Sequence, residues 1–405
     1  MPKSRPVPEA AGKRPSLRLA PKKDRRLRHG HPWIYSNELK LSTDQKAMEP
    51  GMLVTVTGDD GHLFGTAIFN PRPLIVGRLV DPTANAELDQ GWFERRFTAA
   101  QALRQRLVTG PYYRLVHAEA DGLPGVIVDR YGDAATVQIN VAGFERVADP
   151  LIAALQAVTG VATVVRRNDT AARALEGLSA EDVIVGPEPP GPVRVEEAGT
   201  TFFADLAGGQ KTGWFYDQRD NRTFVAGLSD GATVLDVYSH SGGFALRAAC
   251  AGAAEVTAID RSEHALALAA QSAEANGVAG RCKFVRAEAF AELALRVDRA
   301  ERFDVVICDP PAFAKSKKDL HAAIRAYRKL TRLAAALVAP GGILFVASCS
   351  HNVPADAFIA AVAGGLQDAR RNGRILRQAG AAPDHPIHPQ LPESAYLKTL
   401  TLQLD

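Results

Sequence analysis

From about residue 203 onwards, short apolar stretches alternate with alanine-rich helical stretches, and that rhythm leaves few folds open. The stretches are "TVLDVYS", "EVTAID", "KFVRAEA", "FDVVICD" and "ILFVASCS". Each runs apolar with little alternation, as a strand does when both its faces are covered. Strands of this kind separated by helices give an α/β domain, a mostly parallel sheet with helices on both sides. The stretch "AYLKTLTLQL" alternates more strictly and is expected to close the sheet as an antiparallel strand. In such a sheet ligands bind beyond the carboxyl ends of the strands, so the residues after each strand are the candidate site.

The chain has 405 residues, too many for one ordinary core. Residues 1–15 are rich in proline and charge and read as a disordered basic tail. Residues 16–88 show short strands with turn signals, including "GMLVTVTGDDGHLFGTAIFN", and read as a small β-barrel. Residues 89–202 open with the helix "GWFERRFTAAQALRQRLV" and continue as strands broken by Gly and Asp turns, an α+β unit. Residues 203–405 form the α/β domain. No internal repeat is present.

Net charge is only +3, but residues 1–31 carry ten basic side chains against two acidic ones. Such an arm is expected to contact phosphates. Prolines at 2, 6, 8, 15 and 21 oppose the amphipathic helix of a transit peptide. No apolar run reaches the ~18–20 residues of a membrane helix, and no signal-peptide core is seen. Cysteines at 250, 282, 308 and 349 form no C-x-x-C pair, which argues against zinc and dithiol sites. A cytoplasmic protein with no metal and no membrane partner is expected. Monomer and homodimer are both compatible with the sequence.

The strand ends carry the chemistry. "LDVYSHSGGF" places Asp236 near the first, with Gly242 and Gly243 opening the next helix. It is not G-x-G-x-x-G, which disfavours a nicotinamide oxidoreductase. Asp260 ends the second strand and suits ribose hydroxyls. Glu288 follows the third, either at an adenine edge or as an acid complementing a helix N-terminus. The fourth leads into "CDPPAFAKSKK", where two prolines stiffen the exit and position Asp309 against a planar substrate. Lys315, Lys317 and Lys318 then meet substrate phosphates or solvent. The fifth ends at Cys349, either a nucleophile or a strand-end core residue. Cys250, Cys282 and Cys308 read as core or surface residues.

On these residues the chain resembles a class I S-adenosylmethionine-dependent methyltransferase, and more narrowly the RlmI-like 23S rRNA 5-methylcytosine methyltransferases. The matching stretches are "FYDQRDNR", "VLDVYSHSGGFAL", "AIDRS", "CDPPAFAKSKK", "SCSHN" and "DHPIHPQLPESAYLK", spanning 215–398. "RHGHPWIYSNEL" at 28–39 is similar to the opening of the family's PUA RNA-binding module. The resemblance implies a Rossmann-like seven-stranded domain preceded by a PUA-like barrel, with S-adenosylmethionine as cofactor and 23S rRNA as partner. It implies that Asp236 and Gly242 line the methionine part, Asp260 the ribose and Glu288 the adenine side. Phe215, Tyr216, Gln218 and Arg222 would flank the cofactor pocket, and Asp309 would serve both cofactor and base. His240 and Ser241 stand where the family carries Tyr and Thr. Cys349 would add to C6 of cytosine, because a thiolate there makes the unreactive C5 enamine-like. The target base must leave its stack to reach the pocket. Two other readings remain: a guanine-nitrogen methyltransferase, which needs no covalent nucleophile, and a non-catalytic RNA-binding assembly factor.

Overall fold

In the computed structural model, which describes residues 14–189, 191–208 and 213–405, the chain builds four sheets. The expected tail at 1–15 falls almost wholly outside these residues. The first sheet holds β1 (Ser16–Arg18), β2 (Trp33–Tyr35), β3 (Met52–Thr57), β4 (Leu63–Phe69) and β5 (Ile75–Asp81), in the order β1-β3-β4-β5-β2. The edges approach each other through an antiparallel bridge between Leu19 and Leu39, so the sheet curls into a barrel. Leu17, Ile34, Val54, Val56, Ala67 and Phe69 fill it. The Asp59-Asp60-Gly61 turn joins β3 to β4, and Gly61 has φ +83°, a conformation glycine adopts without steric cost.

The basic arm is thus largely part of the barrel. Arg18 pairs with Asp59, Arg26 with Glu38, and Arg28 with Asp24 and Asp60. Lys22, Lys23 and Arg25 are exposed. Sequence charge overstates what this segment offers a phosphate, because local carboxylates take up three of the five guanidinium groups described in it, those of Arg18, Arg26 and Arg28.

The second sheet holds β6 (Tyr112–His117), β7 (Val126–Tyr131), β8 (Ala134–Ile139), β9 (Thr163–Arg166) and β10 (Val183–Val185), in the order β10-β9-β8-β7-β6. Helices Gln90–Leu107 and Ala148–Thr159 pack on it through Trp92, Phe93, Phe97, Leu151 and Leu155. A hairpin of β11 (Val193–Glu197) and β12 (Thr200–Ala204) follows. It lies against helix Glu263–Ala275, where Asn276 accepts from Thr201 N at 2.9 Å and donates to Thr201 O at 2.6 Å.

The largest sheet holds β13 (Thr233–Val237), β14 (Glu255–Asp260), β15 (Cys282–Arg286), β16 (Phe303–Cys308), β17 (Val338–Ser348), β18 (Gly373–Ala379) and β19 (Lys398–Leu404). Its order is β15-β14-β13-β16-β17-β19-β18. The first five are parallel, and β19 is antiparallel to β17 and β18. Alternate residues serve opposite cores: Leu235, Val237, Val306, Leu344 and Val346 on one side, Val234, Val305, Ile307, Phe345 and Ala347 on the other. That two-sided burial is why these strands read as continuous apolar runs. The sequence reading has no counterpart for β18, an edge strand whose first four residues are exposed and which therefore carries no apolar signature.

A buried arginine on helix Gln90–Leu107 fastens the central unit to the α/β domain. The fully buried Arg104 donates to both carboxylate oxygens of Asp121 at 2.5 and 2.7 Å, and to the carbonyls of Arg114 and Asp384 at 3.0 Å each. Arg104→Ala leaves the Asp121 carboxylate buried without its partner. We expect a loss of roughly 3–5 kcal/mol in chemical denaturation, with lower cooperativity between the two units.

Candidate active site

Beyond the carboxyl ends of the five parallel strands lies a cavity of about 610 Å³. Phe215, Gln218, Arg222, Asp260, Glu288, Asp309 and Cys349 of the sequence-derived set all line it. Tyr216, Asp236 and Gly242 do not, each for a physical reason given below.

The loop after β13 is wound tightly. Tyr238, His240 and Gly242 have φ +67°, +48° and +81°, a left-handed conformation costly for the first two. It is held by Ser239 N donating to Ile259 O and His240 N donating to Asp260 Oδ2, both at 2.9 Å. Asp260 Oδ1 accepts from Ser262 N at 2.8 Å, so backbone donors fix this carboxylate on the cavity wall. Gly242 instead faces the core: a Cβ there would lie 3.0 Å from Ala269 Cβ and 3.1 Å from Leu246 Cγ. Asp236 is buried behind the loop, where Oδ2 accepts from Ala245 N at 2.9 Å at the start of helix Gly243–Cys250. Burial pushes its carboxyl up to about 8, and Asp309 and Asp260 add to the rise. It stays protonated at neutral pH.

Glu288 caps helix Ala289–Asp298, with Oε2 accepting from Ala291 N at 2.9 Å. The helix-terminus role is therefore real, and the residue still borders the cavity. Phe215 sets its ring edge-on to His240 at 5.1 Å. Tyr216 is fully buried in the seam with the second sheet, donating to Arg130 O at 2.7 Å and packing on Tyr131. Gln218 Oε1 accepts from Asn221 at 2.7 Å. The Arg222 guanidinium lies over Trp214 and makes a two-pronged ion pair with Glu197, at 2.7 and 2.6 Å. Glu197 comes from β11 and was not legible as a site residue, since nothing near it in the chain marks it. Burial raises its pKa, but Arg222 and then Arg219 hold it below the usual carboxylate value.

At the other end of the cavity two loops are tied together. Ala314 N donates to Ser350 Oγ at 3.3 Å, and Asn352 Nδ2 donates to Ala314 O at 3.3 Å. Ser350 Oγ also pairs with Tyr327 OH at 3.1 Å. Between these ties Cys349 is half-buried, its Sγ 3.8 Å from the carbonyl of Pro310. Lys398 braces the loop by donating to the carbonyls of Ser350 at 2.7 Å and Val353 at 3.0 Å. Burial lowers the pKa of its ammonium, and the nearby Cys349 opposes that, so a thiolate and this charge support each other. Lys398 and Tyr396 stood within the "SAYLK" stretch, whose pattern gave them no role. Of the four cysteines only Cys349 borders the cavity. Burial pushes the Cys282 thiol up to about 11 and the Cys308 thiol higher still. Lys315, Lys317 and Lys318 are exposed.

The cavity suits a nucleoside-bearing cation. Asp260 and Glu288 offer acceptors for hydroxyl and amine donors, and Phe215, Phe290 and Phe313 offer apolar ring surface. Ser239 Oγ, on the cavity wall, is a buried polar atom without a hydrogen-bond partner among the described residues. Such atoms are rare in folded proteins and point to a missing polar ligand. A positive charge would also relieve the crowding of Asp236, Asp260 and Asp309.

Comparison with known proteins agrees. Residues 135–401 match the S-adenosylmethionine-dependent methyltransferase family, and residues 17–82 match a PUA-like domain. Ribosomal RNA large subunit methyltransferase I of Klebsiella pneumoniae subsp. pneumoniae is 36% identical over 389 residues, 95% of this chain and 97% of that protein. The protein of the same name from Photobacterium profundum is 37% identical over 391 residues, 95% and 98% of the two chains. A solved Streptococcus mutans chain described as a SAM-dependent methyltransferase superposes with a TM-score of 0.81 at 22% identity, covering 96% of this chain and 100% of that one. The structure of SMU.776, a methyltransferase complexed with SAH, gives 0.82 at 22% identity over the same shares. At that identity the likeness is one of fold. With the family model spanning most of the chain and relatives matched nearly end to end, the chain belongs to the S-adenosylmethionine-dependent methyltransferases that carry an N-terminal PUA-like domain.

Proposed function

We propose that the chain methylates C5 of a cytosine in 23S rRNA through a covalent adduct of Cys349. The observation that carries this reading is Cys349 itself, the one cysteine on the cavity wall, seated against the Asp309-Pro310-Pro311 exit of the neighbouring strand. The curated relatives are named for methylation of large-subunit ribosomal RNA. A PUA-like barrel with exposed cations supplies the sequence-independent affinity such a substrate requires.

The donor supplies an electrophilic methyl group on a sulfonium. In this reading Asp260 and Glu288 hold its ribose and adenine, Phe215 and Gln218 border it, and Arg222 and Glu197 keep that wall rigid. Asp236 and Gly242 act from behind the loop, by shape and charge rather than by contact. Cys349 Sγ adds to C6 of the flipped base, and the electron pair moves to C5. C5 takes the methyl group as the methyl–sulfur bond of the donor breaks to leave a thioether. The C5 proton then passes to water, and the electron pair it leaves expels the thiolate from C6 and restores the ring. Asp309 steadies the base by a hydrogen bond that strengthens as charge develops on it. The Ser350 and Asn352 ties hold sulfur and carboxylate in one geometry, which is worth more than either group alone.

Cys349→Ala should abolish methyl transfer to rRNA and leave cofactor and RNA affinity within about twofold, because the sulfur contributes only to the reacting state. RNA bearing 5-fluorocytidine should trap the wild-type enzyme as an adduct on denaturing gels, since fluorine blocks the final proton loss. Near-normal methylation by the alanine variant would favour the guanine-nitrogen reading, which nucleotide mapping by mass would then identify. The Asp236 carboxyl gives a second test. A sulfonium lowers its pKa from about 8, so affinity for S-adenosylmethionine rises as pH climbs towards 8 and levels off above it. The neutral thioether product should gain less, and the ratio of the two affinities by calorimetry should grow by about tenfold per pH unit of depression. A flat ratio would remove Asp236 from the cofactor's surroundings. Third, replacing Lys22, Lys23 and Arg25 together by Ala should spare folding. It should make the slope of log affinity for RNA against log salt shallower by about 2–3.

A further inference from the structure

We propose that a second cavity, bounded by Trp33, His117 and Tyr396, seats a nucleobase adjacent to the target nucleotide in the RNA. This rests on the RNA reading above. The cavity is about 340 Å³ and opens where the barrel, the second sheet and the α/β domain meet. Its size falls at the lower end of the ~300–1,000 Å³ of small-molecule sites.

Its position is the first argument. His351 and Tyr396 border both this cavity and the one holding Cys349. Tyr396 is a fixed partition: its hydroxyl donates to Asp217 Oδ2 at 2.5 Å, and its ring lies 5.3 Å from His351 and 6.3 Å from His117, at interplanar angles of 32° and 28°. A base on one side of this wall is therefore a single side chain away from a base on the other. Neighbouring nucleotides of a strand splayed open around a flipped base have that spacing.

The second argument is the chemistry of the walls. Trp33 lies on β2, the edge strand of the barrel, and its indole N–H donates to Glu119 Oε1 at 2.8 Å, which fixes the ring. Its contacts with His31 and Tyr35 are both T-shaped, at 5.9 and 6.4 Å, so neither ring stacks parallel on it. His117 is uncharged, its pKa driven down to about 2 by burial and then by Arg114. Arg114 can only donate to its Nδ1, at 3.2 Å, so Nε2 carries the proton and is a donor. Rings and one neutral donor fit a heterocycle. Glu119 and Glu393 on the same wall oppose a phosphate, so the RNA backbone lies outside the cavity. Flat, sequence-tolerant stacking of this kind is how single-stranded RNA is gripped.

The test uses the full-length enzyme, S-adenosylmethionine and a stem-loop rRNA fragment carrying the mapped target nucleotide. Companion fragments lack the base on one side of the target or on the other. Trp33→Ala should raise KM for the intact RNA at least about fivefold, with kcat and cofactor affinity unchanged. For wild type, loss of the base on one side only should raise KM by a similar factor. The two losses should not multiply when combined, because they remove one contact. Trp33→Phe keeps a ring and gives up the bond to Glu119, and it should stay near wild type. If Trp33→Phe fails as badly as the alanine variant, Trp33 is a structural tie and the inference falls. It also falls if neither abasic RNA matters to wild type, a result that does not depend on the alanine variant folding. Multiplying losses overturn it too. Absence of any methyl transfer to RNA by wild type overturns the proposed function and this inference together, whereas normal transfer with unchanged KM values overturns the inference alone.

Discussion

Everything at this site follows from where the chain reverses within its largest sheet. Strands are laid down outward from β13 to β15, and the chain then returns to place β16 on the other side of β13. Parallel strands joined by helices take right-handed crossovers, so the helices before and after this return fall on opposite faces. The loops after β13 and β16 therefore part, and a crevice opens above their ends. Because all five parallel strands point the same way, Asp260, Glu288, Asp309 and Cys349 are delivered to one rim. No side chain creates that crevice; backbone pairing and handedness do.

The electrostatics are then constrained by what the rim collects. Burial, with Asp309 and Asp260 close by, disfavours ionisation of Asp236, which gives way by keeping its proton. Arg222 opposes that rise in pKa, yet its guanidinium is committed to Glu197. Breaking a buried pair costs far more than the pair contributes, so Arg222 acts as a wall rather than as a mobile counter-ion. The acidic character of the cavity is consequently left for a cation from outside.

Reading order along the chain recovered a good part of this. The parallel strands, the antiparallel final strand and the clustering of strand ends were legible because burial on both faces, or on one, leaves a periodicity that survives in a single sequence. Asp260 and Asp309 were legible because each is the next polar residue after an apolar run, and Cys349 because a lone cysteine stands just beyond one. The edge strand β18 was not, since exposure removes the pattern that would have marked it. Tyr216 and Gly242 share sequence stretches with true wall residues, and only packing sends one to the seam with Tyr131 and the other against Ala269.

What the sequence determined by itself was local: which segments bury their faces, which residues follow them, and that a lone cysteine stands where an apolar strand ends. What tertiary structure decided were the partnerships between distant segments. Glu197 meets Arg222, Arg104 meets Asp384, and Trp33 meets Glu119, across 25, 280 and 86 positions of chain. The same holds for Arg18, Arg26 and Arg28 of the arm, which read as phosphate contacts in the sequence and become barrel ties once Glu38, Asp59 and Asp60 fold beside them. The reason is physical. Periodicity and strand ends are fixed by bonds between neighbours, whereas the worth of a charge or a ring depends on what folding brings within a few ångströms of it.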